Sequence, residues 1–312
     1  MVQVMEHKQR FRIYIGICII FLMGLLAGSF FDLPVAKALY IENFIPARFI
    51  SFVVAFAFFE SCVFFIGVLF RHLLVMMESR AKKMVITVIF IYLFISTVTL
   101  AGGEILNDPL FGNLFSGAAG SFGYSFLAGL ISCGPVFLAG ILINREEYRK
   151  ENIRVLIKLI FIMTTAFLLT KYFNCMIIRP HYWLTLQNNG TDVYTDWYHA
   201  GNRGRFLMSL KDLITSHPGS FTSSHGAFAA LFLVVLPSYS IVFPKLRDKE
   251  RLLMLLAGIL ILPVIFCRLI SGENYLSDVC LGAWAGMKLC ISFNGAKKKK
   301  TSRLKSLFKG AR

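Results

Sequence analysis

The sequence predicts an all-α fold, a polytopic membrane helix bundle of about eight transmembrane helices. Three observations carry this. Of the 312 residues, 56% are hydrophobic and only 16% are charged, whereas soluble domains average about 45–50% and about 25%. The apolar excess is gathered into runs of roughly 18 or more residues, each able to cross a hydrocarbon core of about 30 Å as a helix. The basic residues lie between these runs far more often than within them. A soluble domain, a disordered chain, a coiled coil and a secreted disulfide scaffold are thereby excluded.

The run at 13–31 follows Lys8, Arg10 and Arg12 and is longer than a signal-peptide core. Asp32–Leu33–Pro34 is also a poor small-residue cleavage site, so the run is read as a retained first span. The runs at 49–70 and 84–101 are separated by Arg71, Arg80, Lys82 and Lys83. The fourth, 125–143, has the weakest pattern, because it carries Gly129, Gly134 and Pro135, which membrane helices tolerate. The last four are 154–171, 225–243, 252–270 and 277–293.

The net charge of +16 is explained by placement. Most Lys and Arg residues fall in the loops on the side of the two termini, among them Arg145–Arg154, Lys245–Arg251 and the tail Lys297–Lys300. The positive-inside rule therefore predicts cytoplasmic termini. The tail is expected to meet anionic lipids rather than nucleic acid, at about 1 kcal/mol per charge close to the surface. The seven cysteines form no CxxC pair and mostly lie in apolar runs, as packing residues do. The predicted location is an integral protein of a bacterial plasma membrane.

One long polar segment, 172–224, falls on the opposite, outward side. Its Tyr182, Trp183, Tyr194, Trp197 and Tyr198 suit the membrane interface. The stretch Gly112–Gly123 lacks the lysine and the preceding strand of a P-loop.

Three polar groups mark span ends on this outward side. They are Lys171 with Arg179–Pro180, then Thr222–Ser223–Ser224–His225, then Arg268 with Asp278. Arginine offers a planar fork to phosphate oxygens and lysine a point charge. Ser223 and Ser224 precede a helix start whose free N–H groups favour an anion. Taken singly, each residue is better read as a snorkelling cation or an ordinary cap. Their ordered convergence describes a phosphate site at lipid-headgroup depth.

The order and spacing resemble the type 2 phosphatidic acid phosphatase superfamily of integral membrane phosphatases, whose pattern is K-x6-R-P, P-S-G-H and S-R-x5-H-x3-D. The corresponding residues are Lys171–Arg179–Pro180, Thr222–Ser223–Ser224–His225, and Cys267–Arg268 with Asn274 and Asp278; Leu276–Ser277–Asp278–Val279 and Gly282 also fit. The resemblance implies a six-helix core within 84–293, preceded by a two-helix extension at 1–83 and followed by a basic tail at 294–312. It implies that Lys171, Arg179 and Arg268 hold a phosphate, with Ser223 and the Ser224 backbone donating to it. His225 would protonate the leaving oxygen, and Asp278 would orient the nucleophile at position 274. No metal or organic cofactor is implied.

The departures define the functional question. Position 274 is Asn, whose delocalised amide nitrogen cannot replace an activated imidazole. Losing such a nucleophile costs on the order of 10⁴–10⁶ in rate. The first motif has seven intervening residues instead of six, which turns Lys171 by about 100° if that stretch is helical. Thr222, Ser224 and Cys267 also depart from the pattern. The sequence thus predicts recognition of a phosphorylated lipid headgroup at the outer leaflet by a phosphatase scaffold with impaired chemistry. The alternative is an active phosphatase or phosphotransferase on a lipid phosphate or prenyl diphosphate, using His225 or one of the loop histidines His181, His199 and His217. A transporter built on the intramembrane Glu60 explains none of the motifs.

Overall fold

The computed structural model describes residues 7–108, 110–111, 121–143, 150–187, 194–199, 201–202 and 219–295. His217, most of the glycine-rich stretch and the tail beyond 295 lie outside them. Eight long helices form a bundle: α1 (His7–Leu39), α2 (Ile45–Met76), α3 (Arg80–Leu106), α4 (Phe122–Leu142), α5 (Lys150–Met176), α7 (Ser224–Val242), α8 (Glu250–Ile270) and α9 (Leu276–Gly295). A short α6 (Tyr182–Gln187) lies between α5 and α7. All eight long helices are long and apolar enough to cross a membrane, and the protein is an integral membrane protein. Among the described residues there is also one small ladder, in which β1 (Ile177–Ile178) pairs antiparallel with β2 (Gly201–Asn202).

The fourth span forms despite its glycines, and the packing explains them. A Cβ at Gly129 would lie 1.9 Å from the Val98 carbonyl oxygen, and one at Gly102 would lie 1.8 Å from that of Ser125. The missing side chains are what let α3 and α4 touch backbone to backbone, the usual role of small residues between membrane helices. Both helices also pack on α2, which runs through the interior; Phe58 of α2 stacks on Phe228 of α7 with centroids 3.9 Å apart.

Helices α1 and α2, expected as an extension, pack within the same bundle. α1 lies along α9, and α2 contacts α3, α4, α5, α7 and α8. At the end of the bundle holding the start of α1, Arg10 pairs with Glu250 and Lys158 donates to the final carbonyls of α9, at Ser292 (2.9 Å) and Phe293. At the other end the chain exits α1, α3, α5 and α8 and enters α2, α4, α7 and α9, bringing the three motifs within reach of one another. Six cysteines among the described residues are buried and free.

Candidate functional site

Close contact between α7 and α9 builds the site. A Cβ at Gly282 would lie 2.1 Å from the Ser223 carbonyl oxygen, and one at Gly226 would lie 2.6 Å from that of Val279. Ser223 caps α7, its Oγ accepting from the Gly226 N–H at 3.3 Å, while its own N–H donates to the Asp278 carbonyl at 3.1 Å. Between α8 and α9 the chain reverses at Gly272, whose φ of 68° is readily adopted by glycine and crowded for a side chain. The turn returns the Asn274 N–H to the Arg268 carbonyl at 3.2 Å.

Asn274 is therefore a junction. Its Oδ1 accepts from Arg268 Nε at 2.7 Å and from Ser223 Oγ at 3.2 Å, and its Nδ2 donates to the Ser220 carbonyl. A neutral imidazole presents a single accepting lone pair, so it could not satisfy both donors that meet the amide oxygen. The carboxamide suits this position as a structural tie between the second and third motifs.

Arg179 occupies a different compartment from the other motif cations. It is fully buried between two carboxylates, donating to Asp278 and, at 2.7 Å, to Asp32 of α1. Further bonds run from Nε to the Thr195 carbonyl (2.9 Å) and from a terminal nitrogen to Ser277 Oγ (2.9 Å), and the guanidinium lies 4.0 Å from the centre of the Tyr275 ring. Burial opposes the charge, but Asp278 and Asp32 outweigh it and raise the Arg179 pKa above its ordinary value. Asp278 spends its second oxygen on the Tyr275 N–H at 2.9 Å, not on Asn274. The expected phosphate ligand and the expected orienting carboxylate thus hold each other. Gly28 permits this closure, since a Cβ there would lie 2.6 Å from the Ser277 nitrogen.

Lys171, Ser223, Ser224, His225 and Arg268 cluster beside a small pocket between α2, α3 and α7. Glu104 and Asp108 line it together with His225 and Phe52, Phe56 and Phe59. Lys171 Nζ pairs with Glu104, and Arg268 lies 3.8 Å from Glu273. Ser224 and His225 open α7, where N–H groups precede the first helical hydrogen bond. His225 is 8% exposed and its Nε2 has no hydrogen-bond partner among the described residues; the same holds for Oε1 of Glu273. Burial pushes the Asp108 carboxyl up to about 6, with the Leu110 N–H and Arg268 pulling it back in part. His181 is held at Glu273 and stacks on Trp183, while His199 is exposed beside Asp196. No group of three or more His, Cys, Asp or Glu side chains among the described residues is arranged to hold a metal.

Sequence reasoning missed Asp32, Glu104, Asp108 and Glu273 as site residues. Their common signal was present: each is an acidic residue at or beside the end of an apolar run, on the side that also carries Lys171 and Arg268. Neither a curated protein nor a solved structure matches the chain. Residues 153–301 match the family model of the PAP2 superfamily, a stretch that contains all three motifs. The protein has eight helices long and apolar enough to span a membrane, and the part of it that carries the motif residues, 153–301, is similar to the PAP2 superfamily.

Proposed function

We propose that this phosphatase-superfamily membrane protein recognises a phosphorylated lipid headgroup and does not turn it over through a phosphohistidine. The observation that carries the reading is Asn274, a non-nucleophilic amide at the nucleophile position with both its oxygen and its nitrogen engaged. The groups left to meet a headgroup are Lys171, Arg268, His225 and the first turn of α7. Charge-assisted hydrogen bonds from such groups are the strong ones available to phosphate oxygens. The charge pattern of the loops supports a site facing outward with cytoplasmic termini.

Phosphate release from phosphatidic acid and undecaprenyl diphosphate in mixed micelles, run beside direct lipid binding, tests this. The native chain is expected to bind lipid and release no phosphate, and Lys171→Met to lose binding. Release at an enzymatic rate from the native chain would overturn the proposal. The unpartnered Nε2 of His225 favours the second reading, a phosphatase or phosphotransferase that uses this imidazole on water or substrate. That reading requires the release to vanish in His225→Ala.

A further inference from the structure

The charges around the pocket do not match a bare phosphate. Glu104 and Asp108 line the pocket; Lys171 pairs with Glu104, and Arg268 lies 3.8 Å from a third carboxylate, Glu273. Arg268 is within electrostatic reach of all three acids, and His225 is within reach of both cations. Arg179 offers no relief, since Asp32 and Asp278 already enclose it. Among the described residues, two cations thus face three carboxylates. A phosphate monoester, carrying about −1.5 to −2 at neutral pH, would add to an existing negative excess.

Among the buried atoms without hydrogen-bond partners are two on residues within electrostatic reach of Arg268. Nε2 of His225 and Oε1 of Glu273 lack hydrogen bonds, on side chains 8% and 4% exposed. Buried polar groups are normally paired, so such orphans mark where a ligand completes the network. One is an imidazole suited to a phosphate oxygen and the other a carboxylate suited to a donor. The pocket wall repeats the pairing, with Glu104 and Asp108 set among Phe52, Phe56 and Phe59. Acidic oxygens satisfy an ammonium N–H, and aromatic faces attract a substituted ammonium.

We infer that the ligand of this site is a zwitterionic headgroup, a phosphodiester bearing an ammonium group. Its phosphate meets Lys171, Arg268, His225 and the start of α7, and its ammonium is seated on Glu104 and Asp108. The arrangement is an exchange of ion pairs. In the free protein Glu104 occupies Lys171; an ammonium on Glu104 releases Lys171 Nζ for the phosphate, and the charges balance. This inference rests on the headgroup-recognition reading and narrows it from phosphorylated lipids in general to amine-bearing ones.

The test titrates the purified full-length protein with short-chain lipids of one acyl length, followed by tryptophan fluorescence. The four probes are phosphatidylethanolamine, phosphatidylcholine, phosphatidylglycerol and phosphatidic acid. At least one amine lipid is expected to bind about tenfold or more tightly than phosphatidylglycerol. Which of the two leads tells a primary from a quaternary ammonium. Glu104→Gln with Asp108→Asn is expected to close the gap, but the native selectivity stands as a test even if that variant fails to fold. Equal or tighter binding of phosphatidylglycerol or phosphatidic acid overturns the zwitterion inference and leaves headgroup recognition intact. An alkyltrimethylammonium of matched length binding as well as the amine lipids overturns it too, because phosphate is then not read. Indifference to every headgroup, unchanged in Lys171→Met, overturns both readings.

Discussion

Two clusters of charge lie at the same end of the bundle and are built in opposite ways. Around Arg179 every terminus of the guanidinium is spoken for, by carboxylates from α1 and α9, a serine and a backbone carbonyl. Around His225 the network is incomplete: Lys171 and Arg268 have acidic neighbours, yet an imidazole nitrogen and a carboxylate oxygen are orphaned. Both clusters descend from the same motif pattern. The difference teaches that a motif cation becomes a strut or a ligand according to which carboxylates neighbouring helices bring to it. Asp32 arrives on a helix outside the matched region, and with it Arg179 becomes part of the frame.

The largest expected effect tests the frame. Arg179→Met leaves Asp32 and Asp278 buried without a cation, and removing one side of a buried ion pair costs about 3–5 kcal/mol. Thermal unfolding in detergent should show a strongly lowered Tm. Lys171→Met strands only the half-buried Glu104, so it should lower Tm less than Arg179→Met does while abolishing lipid binding. If the two variants behaved alike in both assays, the division between strut and ligand would collapse.

Asn274→Leu is expected to come next. It strands Arg268 Nε and the Ser220 carbonyl, and leaving a buried polar group unpaired costs about 1–3 kcal/mol. Denaturation with a native-like transition would show that the tie between the motifs is dispensable. A smaller loss, about 1 kcal/mol, is expected for Ser223→Ala, which removes the cap of α7. Asn274→Leu combined with Ser223→Ala should then fall short of additive, because the two side chains share a hydrogen bond.

The smallest effect concerns pH. The Asp108 carboxyl stands at about 6, above the roughly 3.9 of a free aspartate. The folded state therefore holds this proton more tightly, and the associated stability is full at low pH and lost as pH rises from about 4 through 6. Binding should follow the same titration with opposite signs for two probes. Phosphatidylglycerol should bind less well as pH rises through 6, because Asp108 gains a negative charge. Amine-bearing lipids should bind better over that range, and Asp108→Asn should flatten both curves. Parallel curves for the two probes in the native protein would argue that Asp108 faces no part of the headgroup.

Much of the fold was legible because the physics that sets it is local. Eight apolar runs long enough to span a bilayer became eight helices, including the glycine-containing fourth, and the polar residues at one set of their ends marked the three motifs. Asn274 was legible as a chemical departure from its identity alone. Its role as a tie was not, because its partners Arg268, Ser223 and Ser220 meet it only once Gly226 and Gly282 bring α7 onto α9. Nor could residue order tell that Arg179 and Lys171 part company, or that Glu104, Asp108 and Glu273 would outnumber the cations they face.

By itself the sequence determined the membrane class, the number of spans and the residue types at their ends. Each follows from hydrophobicity and chemistry carried within a short stretch of chain. The tertiary structure alone decided the pairing of charges. An ion pair depends on distance and burial between helices far apart in sequence, as with Asp32 and Arg179. Those pairings determine which motif residues remain available to a ligand.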